Sequence, residues 1–421
     1  MTIGGRWNLR SLSLIALLGG IMAAAAVAAD VTRFSLPWPP NSDAAMRAEN
    51  ISRVSTWQDD LDRLPPLNSS SRRRLAACDY TAGRWVYDPR RRSYSSKCEW
   101  IRSAFNCQGN GRRDTAYTKY SWKPRACTIR RFDRAYFKAT LRNKVVAFVG
   151  DSFSRNLQQA IACELGVDDR VEPWSGWLGG TLVSGLAVPR YNLRLVAVVA
   201  PYLVRYSNAD WAFRQYGLKP GDGSRYVVWL DDMDAQWASV LQHVDLTVFM
   251  SGHWFLDKQG AEAVRSTVYV ANNKVVRMSG MAAYRTAMRN VKRFVAVEQK
   301  YRGVPMWLTY SPSHYSRGNP PTCRRTSPIS AKRVQAVAAH DIATAFRGLE
   351  VRELRKSPFR IIDITRISLF RPDAHVKLFY GSKTNSKTKW DCTHWCLPGL
   401  PDVWADVFQF VLKTQLRRHK K

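Results

Sequence analysis

Acidic residues are scarce in this chain. Only 33 Asp and Glu stand against 65 Lys and Arg, a formal net charge of +32 over 421 residues. The imbalance favours polyanionic partners (nucleic acid, anionic membrane or acidic glycan) over polycationic ones. Long apolar runs are also lacking beyond Ala29, so no later segment is built to cross a bilayer. No two of the eight cysteines have the two-residue spacing typical of zinc knuckles. No internal repeat occurs.

What is present starts with an address. Arg6 and Arg10 precede an uncharged stretch, Ser11 to Ala29, which ends in the small residues Ala26, Val27, Ala28 and Ala29 before Asp30. A positive start, an apolar middle and a small-residue end predict a secretory signal. The same stretch is barely long enough for an uncleaved type II anchor, which is the rival reading. Either way the remainder enters a lumen. That argues against nucleic acid and confines membrane contact to the N-terminal segment. The cysteines are Cys78, Cys98, Cys107, Cys127, Cys163, Cys323, Cys392 and Cys396, an even number for which oxidised pairing is the default in that compartment. Cys392 and Cys396 flank a histidine, so a metal competes with disulfides there; we assign none.

Residues 30–77 read as a stem: five prolines, a serine run and the glycosylation sequons at Asn50 and Asn68. Residues 78–135 form a Cys- and Trp-rich module, with Trp85, Trp100 and Trp122 among turn residues. From about 136 to 415 the pattern is α/β. Apolar runs at Val145–Val149, Leu193–Val199, Leu246–Met250, Met306–Tyr310 and Phe359–Ile364 predict buried strands. Asn156–Leu165, Tyr284–Val297 and Ala331–Arg347 predict helices. Such alternation predicts a mostly parallel sheet flanked by helices. Residues 416–421 are a basic tail.

Gly150-Asp151-Ser152 joins the first of these strands to the first helix. That junction places Ser152 at the carboxyl edge of the sheet, under the free amides of a helix N-terminus. Such amides can hold the oxyanion formed when a serine attacks a carbonyl. By itself the triplet also fits a turn with an N-cap. A serine nucleophile needs a base, and the base needs an acceptor to fix its tautomer. Asp391 and His394, three residues apart, supply both if one turn of chain brings them to one face. The competing reading is a helix N-cap with a structural histidine.

These two blocks resemble the SGNH/GDSL hydrolase superfamily. More closely, the chain is similar to the plant trichome-birefringence-like (PC-esterase) family of polysaccharide O-acetyltransferases, from Cys78 to about Phe408. The landmarks are Gly83-Arg84-Trp85-Val86, Phe105-Asn106-Cys107-Gln108, Gly150-Asp151-Ser152 with Ser154-Arg155-Asn156, Gly252-His253-Trp254, Ser311-Pro312 with His314, Arg371-Pro372-Asp373-Ala374-His375, and Asp391-Cys392-Thr393-His394-Trp395-Cys396. The resemblance implies an SGNH-like sheet with a disulfide-stapled N-terminal module packed on it. It implies an acetyl group passed through Ser152 to a hydroxyl of a cell-wall glycan in the Golgi lumen; it fixes no glycan identity, while the +32 charge suits an acidic one such as pectin or a glucuronate-bearing xylan. His394 would be the base and Asp391 the orienting carboxylate. The implied disulfides are Cys78–Cys127, Cys98–Cys163, Cys107–Cys396 and Cys323–Cys392.

No bound cofactor is implied. The acetyl donor is a co-substrate, acetyl-CoA being one candidate. Oxyanion or substrate contacts are expected among Gly150, Asp151, Arg155, Asn156, Ser251, Gly252, His253, Trp254 and Trp395. Structural roles compete for the histidines, and core packing competes with sugar stacking for the tryptophans. Two departures stand out: Met250 where the family places Asn, and Arg317-Gly318-Asn319-Pro320-Pro321 where it has a Trp-Asn-Gly-Gly stretch. An acetylesterase and a non-catalytic binder of polyanionic glycans are the alternative functions.

Overall fold

The computed structural model describes residues 49–50, 78–91, 94–219, 226–256, 267–316, 318, 321–379 and 390–416. The expected leader or anchor, most of the stem, the Asn68 sequon, Arg317, Asn319, Pro320 and residues 417–421 lie outside the described residues.

Eight strands make the main sheet: β1 (Glu49–Asn50), β2 (Val145–Gly150), β3 (Glu172–Leu178), β4 (Thr181–Val188), β5 (Leu193–Val199), β6 (Leu246–Met250), β7 (Val304–Leu308) and β8 (Arg360–Ile362). Their spatial order is β1-β3-β4-β5-β2-β6-β7-β8. The five apolar runs picked out above are the neighbouring strands β5, β2, β6, β7 and β8, and every pairing among them is parallel. Their continuous hydrophobicity follows from being covered on both faces. Along β2, Val146 and Phe148 enter the core on one side, while Val145, Ala147 and Val149 enter the core on the other.

The first core is shared with α1 (Ser152–Leu165) and the second with α2 (Gly280–Arg293) and α3 (Ile342–Leu354). A last helix, α4 (Leu400–Leu416), packs beside α1. It was not anticipated, because it is buried almost all round and so has no polar stripe to betray its period. Its two buried carboxylates are satisfied: Tyr94 donates to Asp402 at 2.7 Å and Arg91 to Asp406 at 3.1 Å.

Three other differences have local causes. The single helix expected over 331–347 is two, Ala331–Ala338 and α3, since Asp341 accepts the Ala343 amide at 2.8 Å and caps a new helix. An antiparallel hairpin, β3–β4, extends the sheet, turned by Gly179 and Gly180 at φ +55° and +79°. A second, four-stranded sheet is built from Val204–Ser207, Val227–Met233, Val268–Ala271 and Lys274–Val276. The Cys- and Trp-rich module is a hairpin, Gly83–Tyr87 with Tyr120–Pro124, and the disulfide Cys98–Cys163 fastens the module to α1.

Beneath the ends of β6 and β7, Glu350 is fully buried. Its carboxyl meets the Tyr284 hydroxyl at 2.6 Å and accepts the Tyr310 amide at 2.9 Å. Burial pushes Glu350 up to about 7 against the partial relief of those bonds. A raised folded-state pKa means a contribution to stability that is complete below the ordinary 4.5 and is lost as pH climbs to about 7. Denaturant titrations across that window should therefore show stability declining with pH, and Glu350→Gln should flatten this part of the slope. An unchanged slope in the variant would remove Glu350 as its source.

Candidate active site

Gly150 ends β2 at φ +139°, and a Cβ there would lie 1.7 Å from the Met250 carbonyl oxygen across the β2–β6 ladder. Only glycine lets the two strand ends approach so closely. We expect Gly150→Ala to cost about 3 kcal/mol or more, read as a shift in denaturation midpoint; a neutral result would mean the strand ends can part. Asp151 then caps α1, accepting the Phe153 amide at 3.0 Å. Ser152 is the first residue of the helix, with the helix's unpaired amides around it. Gly252 lies two residues past Met250, the register partner of Gly150, so its amide sits by the same strand ends as that of Ser152.

The Asp391–His394 block is a short strand, so the helix N-cap that competed for Asp391 does not form. Asp391–Trp395 pairs antiparallel with His375–Lys377. The strand begins with a tight side-chain turn in which Asp391 Oδ1 accepts the Thr393 and His394 amides at 3.0 and 2.9 Å. Its Oδ2 lies 2.8 Å from His394 Nδ1, and His394 Nε2 lies 2.7 Å from Ser152 Oγ. Hydroxyl, imidazole and carboxylate thus form one continuous relay across 242 residues of chain.

Burial acts to raise the Asp391 pKa, yet the facing His394 ring and the bonds from that ring and the two amides outweigh it. The carboxylate is held well below its usual range. For His394 burial acts downward, but the charge and hydrogen bond of Asp391, helped by Asp151, raise it above 6.5. The His394 side chain is 25% exposed, so a substrate can reach it.

The strand carrying His394 is held from both sides. Cys392 is bonded to Cys323 and Cys396 to Cys107. Neither sulfur is a thiolate, so the competing metal reading of this segment is withdrawn. From the N-terminal module, Phe105 lays its ring 5.5 Å from that of His394, and Arg112 donates to the His375 and Asp373 carbonyls at 3.0 and 2.8 Å. His375 Nδ1 donates to the His394 carbonyl at 3.0 Å, and His314 Nδ1 meets His375 Nε2 at 2.7 Å. Burial pushes His314 down to about 4. It supports the strand through His375.

Several expected contacts look different in the fold. Trp395 is fully buried, stacked 3.7 Å from the His375 ring, and offers no face to a sugar. Trp254 is half-buried against Tyr202, Tyr206 and Tyr226. Ser251 is buried and donates to the Pro201 carbonyl at 2.6 Å. Arg155 is half-buried, and its charge opposes the rise in the His394 pKa. Asn156, one helical turn beyond Ser152, is fully buried, and neither of its amide atoms has a hydrogen-bond partner among the described residues. Phe153, whose ring stacks 5.2 Å from that of His394, went unnoticed in the sequence, where nothing distinguishes it from any helix-core residue.

The model of the PC-esterase family, described as a GDSL/SGNH-like acyl-esterase family found in Pmr5 and Cas1p, matches residues 129–411. The chain belongs to the PC-esterase family. The segment ahead of that PC-esterase region, residues 76–128, matches the PMR5 N-terminal domain. Among curated proteins, this PC-esterase is similar to protein trichome birefringence-like 13 of Arabidopsis thaliana, 29% identical over 83% of this chain and 88% of that protein. It is similar to xyloglucan O-acetyltransferase 4 of Populus trichocarpa (30% identical; 80% and 81% covered) and to xyloglucan O-acetyltransferase 3 of the same plant (27%; 87% and 92%). Among the described residues of this PC-esterase, no group of three or more His, Cys, Asp or Glu could hold a metal ion.

Proposed function

We propose that this PC-esterase is an O-acetyltransferase that carries an acetyl group on Ser152 and delivers it to a hydroxyl of a plant-type wall polysaccharide. The observation that carries the reading is the relay Ser152 Oγ–His394 Nε2 at 2.7 Å and His394 Nδ1–Asp391 Oδ2 at 2.8 Å. Neutral His394 takes the Ser152 proton as Oγ attacks the acetyl carbonyl. The oxyanion is met by main-chain amides at Ser152 and Gly252. As the tetrahedral intermediate collapses, His394 returns the proton to the donor's leaving group. A sugar hydroxyl then gives its proton to His394 and attacks the acetyl-serine. His394 finally protonates Ser152 as the ester product departs.

Two relatives are named for xyloglucan, so a neutral glucan joins xylan and pectin as an acceptor class, with the +32 charge favouring an acidic one. We place the reaction in the Golgi lumen, with residues 1–29 as signal or type II anchor and 30–77 as stem. Residues 78–135 clamp the base, 136–415 carry the chemistry, and 416–421 form a basic tail. No bound cofactor takes part; the donor is an activated acetyl ester or thioester.

The test supplies an acetyl donor, acetyl-CoA first, with and without deacetylated wall oligosaccharides, and reads both sugar and acetate by mass. Acetylated sugar that forms only with the enzyme supports transfer. Acetate release indifferent to the acceptor, with no acetylated sugar, would establish the acetylesterase alternative instead.

A further inference from the structure

Behind Ser152 and His394 runs a second connection that the relay does not use. We propose that Asp151, His253, Ser311 and Trp395 form a bridge tying the nucleophile's turn to the base's strand, with His253 the positioning residue that sets the distance between the reacting groups. The inference rests on the reading of Ser152 as the nucleophile.

His253 Nε2 donates to the Ser311 carbonyl at 2.8 Å, and its Nδ1 lies 3.3 Å from Asp151 Oδ2. Ser311 Oγ accepts the Trp395 indole N–H at 2.7 Å. Asp151 immediately precedes Ser152 and Trp395 immediately follows His394, so the bridge ends on the chain neighbours of the two reacting side chains. All four residues are well shielded: Ser311 and Trp395 are fully buried, and the side chains of Asp151 and His253 are 0% and 11% exposed. Asp151 Oδ1 is taken by the Phe153 amide, which leaves Oδ2 to His253.

Stacking closes the arrangement. The His253 ring lies between Tyr310 (4.0 Å, 12° between planes) and Phe153 (4.2 Å, 30°), and Phe153 in turn stacks on His394 at 5.2 Å and 21°. Four rings in series limit how far His394 can slide from Ser152. Gly252 makes the approach possible: at φ +129°, a Cβ would stand 2.8 Å from the Tyr310 ring. A histidine serving the core alone needs only to satisfy its own nitrogens. This one joins the two halves of the site.

A fluorophosphonate probe tests the bridge without knowledge of donor or acceptor, since Ser152 Oγ displaces fluoride from phosphorus as His394 takes its proton. His253→Phe keeps a ring in the stack but deletes both polar contacts. Trp395→Phe keeps the ring on His375 but deletes the indole donor. Each should slow Ser152 labelling by about 10- to 100-fold, the scale of a roughly 1 Å misplacement. Because both cut one bridge, the double variant should fall within about threefold of the slower single one. His253→Gln, whose side-chain amide N–H groups can donate to the Ser311 carbonyl or to Asp151, should recover part of the loss. Melting temperatures accompany each rate, and Ser311→Ala, which removes the Trp395 acceptor, replaces any variant that does not fold. Folded variants labelled at the wild-type rate, or a double loss equal to the product of the singles, would overturn the bridge. A wild-type enzyme that the probe leaves unlabelled at Ser152 would overturn the nucleophile reading beneath it.

Discussion

Ser152→Ala should abolish acetyl transfer, with a loss of roughly 10⁴-fold or more, while leaving the fold and glycan binding in place. Ser152 contributes its hydroxyl to one hydrogen bond, from Oγ to His394 Nε2. Removing that oxygen deletes the bond-forming atom and disturbs little else, because Asp151 and Ser154 hold the turn independently. The measurement is acetylated oligosaccharide per enzyme, alongside a melting curve and a glycan-binding isotherm. Transfer persisting at more than a few per cent would mean that another group carries the acetyl. Unchanged binding with lost transfer would separate the enzyme from the non-catalytic binder that the basic surface also allows.

Asp391→Asn comes next in size, with an expected fall of about 10⁴-fold in turnover. The carboxylate does two jobs. Its Oδ2 fixes the His394 tautomer so that Nε2 is bare toward Ser152, and its charge raises the His394 pKa. An amide in its place can present N–H to Nδ1, which favours the wrong tautomer. The pH profile carries a second signature. In the proposed mechanism His394 acts as base only when neutral, so activity should fall as pH drops through its pKa. With that pKa raised, the acid limb of the wild-type profile should lie above about 6.5. In Asp391→Asn the limb should move to lower pH, since burial then acts without its main counterweight. A limb that stays put would mean that the profile reports some other group.

Much of this was legible in the sequence, for reasons that also explain what was not. Strands β2, β5, β6, β7 and β8 are sandwiched by helices, and sandwiching leaves unbroken apolar runs. The hairpin β3–β4 is partly open to solvent, with Trp177 and Leu182 exposed, so its pattern is irregular and its Gly179-Gly180 turn was the better signal. The spacing of Asp391 and His394 leaves their local structure open. A three-residue spacing fits a helical turn and a side-chain turn at a strand start equally well, and the deciding contact, with His375–Lys377, depends on long-range pairing. For Trp395 sugar stacking and core packing compete in the sequence, because large aromatics serve surfaces and cores alike; its burial follows from α4 and His375, neither of which local pattern places there. The contacts of His253 could not be read from local pattern, since its partners stand 102 and 58 residues away.

The most direct measurement is peptide mapping of enzyme quenched after exposure to an acetyl donor in the absence of acceptor. The account predicts one acetyl group per molecule, on Ser152, that disappears when oligosaccharide is added and reappears as acetylated sugar. Transfer proceeding at full rate with Ser152 never acetylated would contradict it.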